Sequence, residues 1–456
     1  MDHGIISLLP PILALVCAMI SKDILLALFL GILSASVIAN GWGFFPPITD
    51  TYLVEGIVSN ADVFLRIFLL GAFLAAIKRA GGITAFTNLI DRKFNTPRKS
   101  KFITWLLSLV VINEPFAFFG IGSIMRPVTD RHRVSHEKFG FIQSSTAENI
   151  CALVPITIYI LFFGGIASAT VGGDGNALYL KSIPLNFFCI LAIVYALLSA
   201  LEIIPDFGTM KRCETRARET GALIREGSHP LSSDEIENMK PADGVKPDLL
   251  CFVLPFATYI GTIVIIYATT GSLNLGPAVL LGFLVAVIYP MIRGYIGLKD
   301  ISGIVYQGTK SMMPVCLILA MAFAFGKAIG DVGFANYVVA KAQAFITPNL
   351  LPFFAFILCC LGSYVTGSLI SISVVLTPIV LALGVSTGAN IPMLLAAIVG
   401  GSTFGDCSSP LSDIVLQAAM GANVDAVDLS KAQLGPRLIV VGVSALLYLV
   451  LPFVMG

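Results

Sequence analysis

Two carboxylates, Asp406 and Asp413, stand seven residues apart in the run from Gly400 to Asp413, which sets three glycines, a proline, four serines and a threonine in an otherwise apolar stretch. A third, Glu114, lies between Asn113 and Pro115 in the middle of the apolar residues 102–128. An acid at mid-depth in hydrocarbon is costly and is by default a functional group. Asp406 is the first choice: it can ligate Na+, with Thr403 and Ser145 as further ligands, or carry a proton. The plainer reading is an acid that caps a half-helix. Asp413 falls on the same helical face, and an N-cap or salt-bridge role suits it as well as a site role. Glu114 is a proton or cation ligand if its turn faces water, and a polar turn residue otherwise.

Neutral oxygens surround these acids in the sequence. Ser402, Thr403, Ser408 and Ser409 flank Asp406, and Ser145, Thr146, Glu148 and Asn149 occupy a second apolar stretch. Thr366, Gly367 and Ser368 interrupt a third, where the glycine suits a turn. Such hydroxyls and amides can hold Na+ or hydrogen-bond a solute, although Ser and Thr in membranes more often join helices. Glu148 is either a replacement acid or the ion-pair partner of a base.

The surroundings are apolar. Hydrophobic residues make up 57% of the 456-residue chain and charged ones 12%, against roughly 25% charge in a soluble domain. The apolar runs exceed the roughly 20 residues that a crossing helix needs, and the alternating pattern of a barrel is missing. Residues 5–20 have no basic head or cleavage site and read as a retained helix. A net charge of +1 offers nothing to nucleic acid. All cysteines but Cys213 lie in apolar stretches without metal spacing, so disulfides, structural zinc and cofactors are not expected.

Spans are expected at 5–20, 25–38, 63–77, 139–163, 184–204, 249–267, 275–292, 312–329, 391–416 and 439–454. That gives an all-α polytopic protein of ten transmembrane helices. Residues 102–128 and 351–383 are long but broken in the middle, and each reads as a re-entrant hairpin. With both non-crossing, one face holds Lys22, the bases of 78–101, 126–138, 211–246 and 293–310, Lys431 and Arg437, and the other only Lys181, Lys327 and Lys341. Retained bases collect on the cytoplasmic side of a bacterial-type inner membrane, which puts both termini outside.

The polar residues 205–248 then form a cytoplasmic linker between halves 1–204 and 249–456. Five spans in each half makes the second an inverted copy of the first, a common plan among secondary transporters. Corresponding residues agree: Ser145-Thr146 follows the first hairpin and Ser402-Thr403 the second. The spans 139–163 and 391–416 are expected to be broken helices that line a cavity with the hairpin tips.

The residues resemble a known family at this point. Phe404-Gly405-Asp406-Cys407-Ser408-Ser409-Pro410-Leu411-Ser412-Asp413 is similar to the C-terminal motif of the NhaC-type sodium/proton antiporters. Met125-Arg126-Pro127-Val128-Thr129-Asp130, with Ser145-Thr146-Ala147, resembles their N-terminal motif. The resemblance implies coupling to Na+, H+ or both, an elevator-type transport domain on a static scaffold, and a homodimer. Many members carry two acids at the first tip and an acid before Ser-Thr-Ala. Here the tip is Asn113-Glu114 and the preceding residue is Ser144. That departure leaves room for a small organic solute, an amino acid or carboxylate, in place of plain Na+/H+ exchange.

Rival classes find little material. His3, His132, His136 and His229 fall outside the spans, so an intramembrane Ser-His or zinc enzyme lacks its parts. Asp406 and Asp413 share one helix and cannot face each other as a protease pair. A passive channel stays open as a reading; uptake that never concentrates solute would mark it.

Overall fold

The computed structural model describes residues 3–21, 23–59, 61–93, 96–110, 116–154, 157–230, 247–270, 275–334, 337 and 347–455. Among them the only regular structure is helical, as expected where backbone groups must be satisfied within one segment. In chain order the longer helices are α1 (Leu9–Ser21), α2 (Ile24–Asn40), α3 (Ala61–Arg79), α4 (Gly82–Lys93), α5 (Pro97–Val110), α6 (Ile121–Arg131) and α7 (His136–Leu153). There follow α8 (Ile158–Val171), α9 (Gly175–Ser182), α10 (Phe187–Ala200), α11 (Gly208–Thr220), α12 (Leu250–Thr270) and α13 (Leu275–Ile292). The remainder are α14 (Leu298–Val332), α15 (Leu351–Thr366), α16 (Leu369–Thr387), α17 (Ile391–Ser408), α18 (Asp413–Ala422) and α19 (Ala426–Met455).

Five described helices are long and apolar enough to cross a bilayer alone, and up to seven if each of two bent pairs is one span. One of those pairs is α14, bent by 40° beside Pro314, where the ring removes a backbone hydrogen bond. Only 24% of the apolar window of α12 is buried and 33% of that of α19. Their outer faces carry Val264, Ile265, Leu446, Val450 and Phe453 in the open. Aliphatic surface on that scale needs lipid to cover it, so the chain is a helical membrane protein.

α17 is the opposite case, with 89% of its window buried. It is packed by α15 and α16 and also touches α7, α10 and α19. Glycines permit this: a Cβ on Gly401 would stand 2.5 Å from Phe356 O, and one on Gly405 2.3 Å from Tyr364 N. A second set of helices, α2, α3, α12, α13 and α14, packs mainly among itself. Gly71 and Gly308 let α3 and α14 meet backbone to backbone.

At one end of the α17 set, charges are paired across long sequence distances. α11, from the polar stretch read as a linker, docks on α7 through Arg216, whose Nη2 donates to both carboxylate oxygens of Glu137 at 2.8 and 3.0 Å. Lys101 Nζ lies 2.8 Å from Glu202, Lys138 pairs with Asp206, and Arg225 reaches Asp428 at 3.0 Å. Ser135 donates its backbone N–H and hydroxyl to Glu214. His136, outside the spans in the sequence reading, opens α7 and lies between Asp130 Oδ1 at 3.0 Å and Asn423 O at 2.8 Å.

Candidate functional site

α17 ends where its sequence stops suiting a helix. Ser409 has left helical geometry (φ −68, ψ 135), Pro410 follows, and Ser412 restarts the chain as the N-cap of α18. The break therefore occupies residues 409–412. A helix end in a membrane leaves carbonyls that something must satisfy. Here α19 does so, with Ser430 Oγ donating to Ser408 O at 2.6 Å and Gln433 Nε2 to Cys407 O at 2.8 Å.

Asp406 lies in the last turn before the break and is 6% exposed. The Ser412 hydroxyl donates to Asp406 Oδ1 at 2.7 Å and accepts from Ile414 N at 3.1 Å. The carboxylate is thereby tied to the N-terminus of α18, whose unpaired N–H groups and dipole favour negative charge. Asp413 is the first residue of α18 and is partly buried. Ser409 Oγ accepts from Leu411 N and Ser409 N donates to Gly405 O, so this residue shapes the break itself.

The turn between α15 and α16 closes over this segment. Gly367 is left-handed (φ +66), and a Cβ there would come within 2.8 Å of the Leu411 backbone. Thr366 Oγ1 donates to Gly362 O, and Ser368 caps α16 by accepting from Ser371 N. Ser402 Oγ accepts from Ser373 Oγ and its carbonyl from Ser363 Oγ, which fastens both limbs of the helix pair to α17. Ser402 thus joins helices, while Thr403 donates its hydroxyl proton to Val399 O and lies beside the Cys189 thiol.

α7 runs beside α17 with Gln143, Ser144, Ser145, Thr146, Glu148 and Asn149 all buried. It breaks after Leu153, and α8 begins at Ile158. Thr146 donates back to Ile142 O and Asn149 Nδ2 to Ser145 O, whereas Glu148 accepts from Tyr159 of α8. Asn113 and Glu114 lie outside the described residues. The structure thus joins Asp406 to the break and to Ser412, and brings Gly367 over them. Thr146 and Thr366 turn their hydroxyl protons to their own helices.

The sequence reading missed Arg437. It counted this residue among the loop bases of the cytoplasmic face, yet it sits within α19 at 1% exposure. Nη2 donates to Ser144 Oγ at 2.7 Å and to Ser145 Oγ at 3.2 Å, and Nη1 to Ser408 Oγ at 3.4 Å. The signal was present: Ser430, Gln433 and Arg437 recur at three and four residues, one polar stripe on an apolar helix.

The model of the Na+/H+ antiporter family matches residues 150–453, which include the break, Asp406 and Arg437. An uncharacterized protein of Haemophilus influenzae is 23% identical across 98% of this chain and 91% of its own length. An uncharacterized membrane protein of the same organism is 22% identical across 91% of each chain. The malate-2H(+)/Na(+)-lactate antiporter of Bacillus subtilis is 26% identical over 39% of this chain and 38% of its own.

Proposed function

We propose, since the chain belongs to the Na+/H+ antiporter family, that Asp406 is where this cation-coupled transporter binds its coupling ion. The family is one of transporters and not of enzymes, and its description supports Na+ and H+ as the coupling ions. The observation that carries the reading is a carboxylate held in the last turn before a break in a buried helix, with a Ser412 hydroxyl fixed beside it. Na+ and a proton compete for such a group, because either neutralises it before it crosses a low-dielectric barrier. Thr403 and Ser408 can add hydroxyl oxygens. Glu114 and Asn113 remain candidate ligands from the sequence, and Asp413 adds a second carboxylate at the start of α18.

The motion we propose is of elevator type. The helices packed around α17 move as a unit against the α2, α3, α12, α13 and α14 set, two re-entrant hairpins carry the tips, and two inverted halves build the whole. The partition of packing between the two sets supports this reading. The ion-paired end of the α17 set faces the cytoplasm, both termini face outward across an inner membrane, and the protein works as a homodimer. That end gathers Lys101, Lys138, Arg216 and Arg225, bases from separate stretches, as retained loops should.

Reconstitution into proteoliposomes tests the reading. A Na+ gradient should drive proton movement through the native protein and none through Asp406→Asn. Full exchange by that variant would refute it.

A further inference from the structure

We infer that Arg437 anchors a second ligand, a carboxylate, beside the cation at Asp406; the inference names a substrate class for the transport reading above and rests on it.

A guanidinium carries five N–H donors in a rigid fork. That of Arg437 is buried, yet all its hydrogen bonds go to neutral hydroxyls, those of Ser144, Ser145 and Ser408, and Nε has no partner. The Phe141 ring lies 6.0 Å away, and the Glu148 carboxylate acts on it electrostatically without a direct ion pair. The other fully buried bases among the described residues are treated differently. Lys101 is 2.8 Å from Glu202, and Lys138 is paired with Asp206. Each of these two lysines has a carboxylate in direct contact, and Arg437 has only hydroxyls.

A guanidinium buried without a carboxylate in direct contact is costly, and the cation–π contact with Phe141 offsets only part of that. The missing partner is one that arrives. A guanidinium fork fits a carboxylate through two parallel hydrogen bonds, and the surrounding hydroxyls can donate to the same oxygens. Chloride, a single sphere, cannot use the fork in this way.

The placement also explains coupling. Ser408 stands two residues beyond Asp406, on the last turn before the break. With Na+ on Asp406 and a carboxylate on Arg437 each of these two fixed charges gains an opposite, which lowers the cost of carrying the loaded site through the barrier. With the cation alone the guanidinium stays unpaired, so movement is disfavoured.

The test is thermal unfolding of the purified full-length protein in detergent, titrated with Na+ and then with sodium lactate, succinate, glycine and chloride, and with lactamide as the neutral match. Binding to the folded state alone raises Tm. Lactate or succinate should stabilise the native protein saturably while lactamide and chloride do not. Arg437→Gln should lose that shift and keep the Na+ shift. Arg437→Lys, which keeps the charge and loses the fork, should weaken the carboxylate at least about tenfold; it decides the matter if Arg437→Gln is not monodisperse. No carboxylate shift in the native protein, an equal shift with chloride, or an undiminished shift in both variants would overturn the inference. Asp406→Asn separates the two claims: a Na+ shift that survives it defeats the ion-site reading and leaves the Arg437 result standing.

Discussion

The hydroxyl of Ser412 donates to Asp406 Oδ1 at 2.7 Å while capping the helix that follows it. One side chain thus sets both the geometry of a helix break and the orientation of the carboxylate inside it. Ser412→Ala should cost about 1 kcal/mol through the lost cap, and should weaken Na+ severalfold without abolishing exchange. A Na+ titration of exchange rate in proteoliposomes checks it. A variant with native Na+ dependence would mean that the hydroxyl serves α18 alone.

The turn at Gly367 is left-handed, and its Cα faces the Leu411 backbone. Gly367→Ala adds a methyl group 2.8 Å from that backbone and a conformational strain of about 1–2 kcal/mol. Exchange should fall roughly tenfold, the equivalent of about 1.4 kcal/mol, with membrane insertion intact. Initial rates at saturating Na+ report it.

Gly405 should be less forgiving. A Cβ there would meet Tyr364 N at 2.3 Å and Ser363 Cβ at 2.4 Å, both on a neighbouring helix that cannot yield locally. Gly405→Ala is expected to lower stability by about 1–3 kcal/mol, as overpacking does. Gly442, with nothing within 4 Å, is the control, and Gly442→Ala should leave Tm unchanged or raised.

Docking of α11 can be read through a thiol. Burial, with the Glu137 carboxylate nearby, pushes Cys213 up to about 12, so at pH 8 almost none of it is thiolate. Arg216→Ala removes the guanidinium that holds Glu137. If α11 then lifts away, the thiol returns toward its ordinary range near 8.5 and its maleimide labelling speeds up by roughly a thousandfold. Mass spectrometry of labelled Cys213 peptide, native against variant, measures this, and unchanged labelling would show that other contacts hold the helix.

Much of this was legible in the sequence because hydrocarbon makes polar residues conspicuous. The polar and turn-forming run from Gly400 to Asp413 interrupts a stretch that is otherwise Leu, Ala, Ile and Val, so the interruption and its acid Asp406 stand out together. Gly367 announces a turn for the same reason. Arg437 did not stand out, since it follows Lys431 and precedes a clean apolar stretch, which is how a loop base looks. Only the folded chain shows that α19 is one 30-residue helix, with that base inside it. Nor could spacing reveal that Glu137 and Arg216 meet, because the pair is created by packing and each residue alone reads as a solvated charge.

The account stands most directly on one measurement: proton release when Na+ is added to the purified protein in weakly buffered detergent solution. The native protein should release a proton as Na+ takes its place on Asp406, and Asp406→Asn should release none at any Na+ concentration. Undiminished release from that variant would contradict the claim that the two ions compete for this carboxylate.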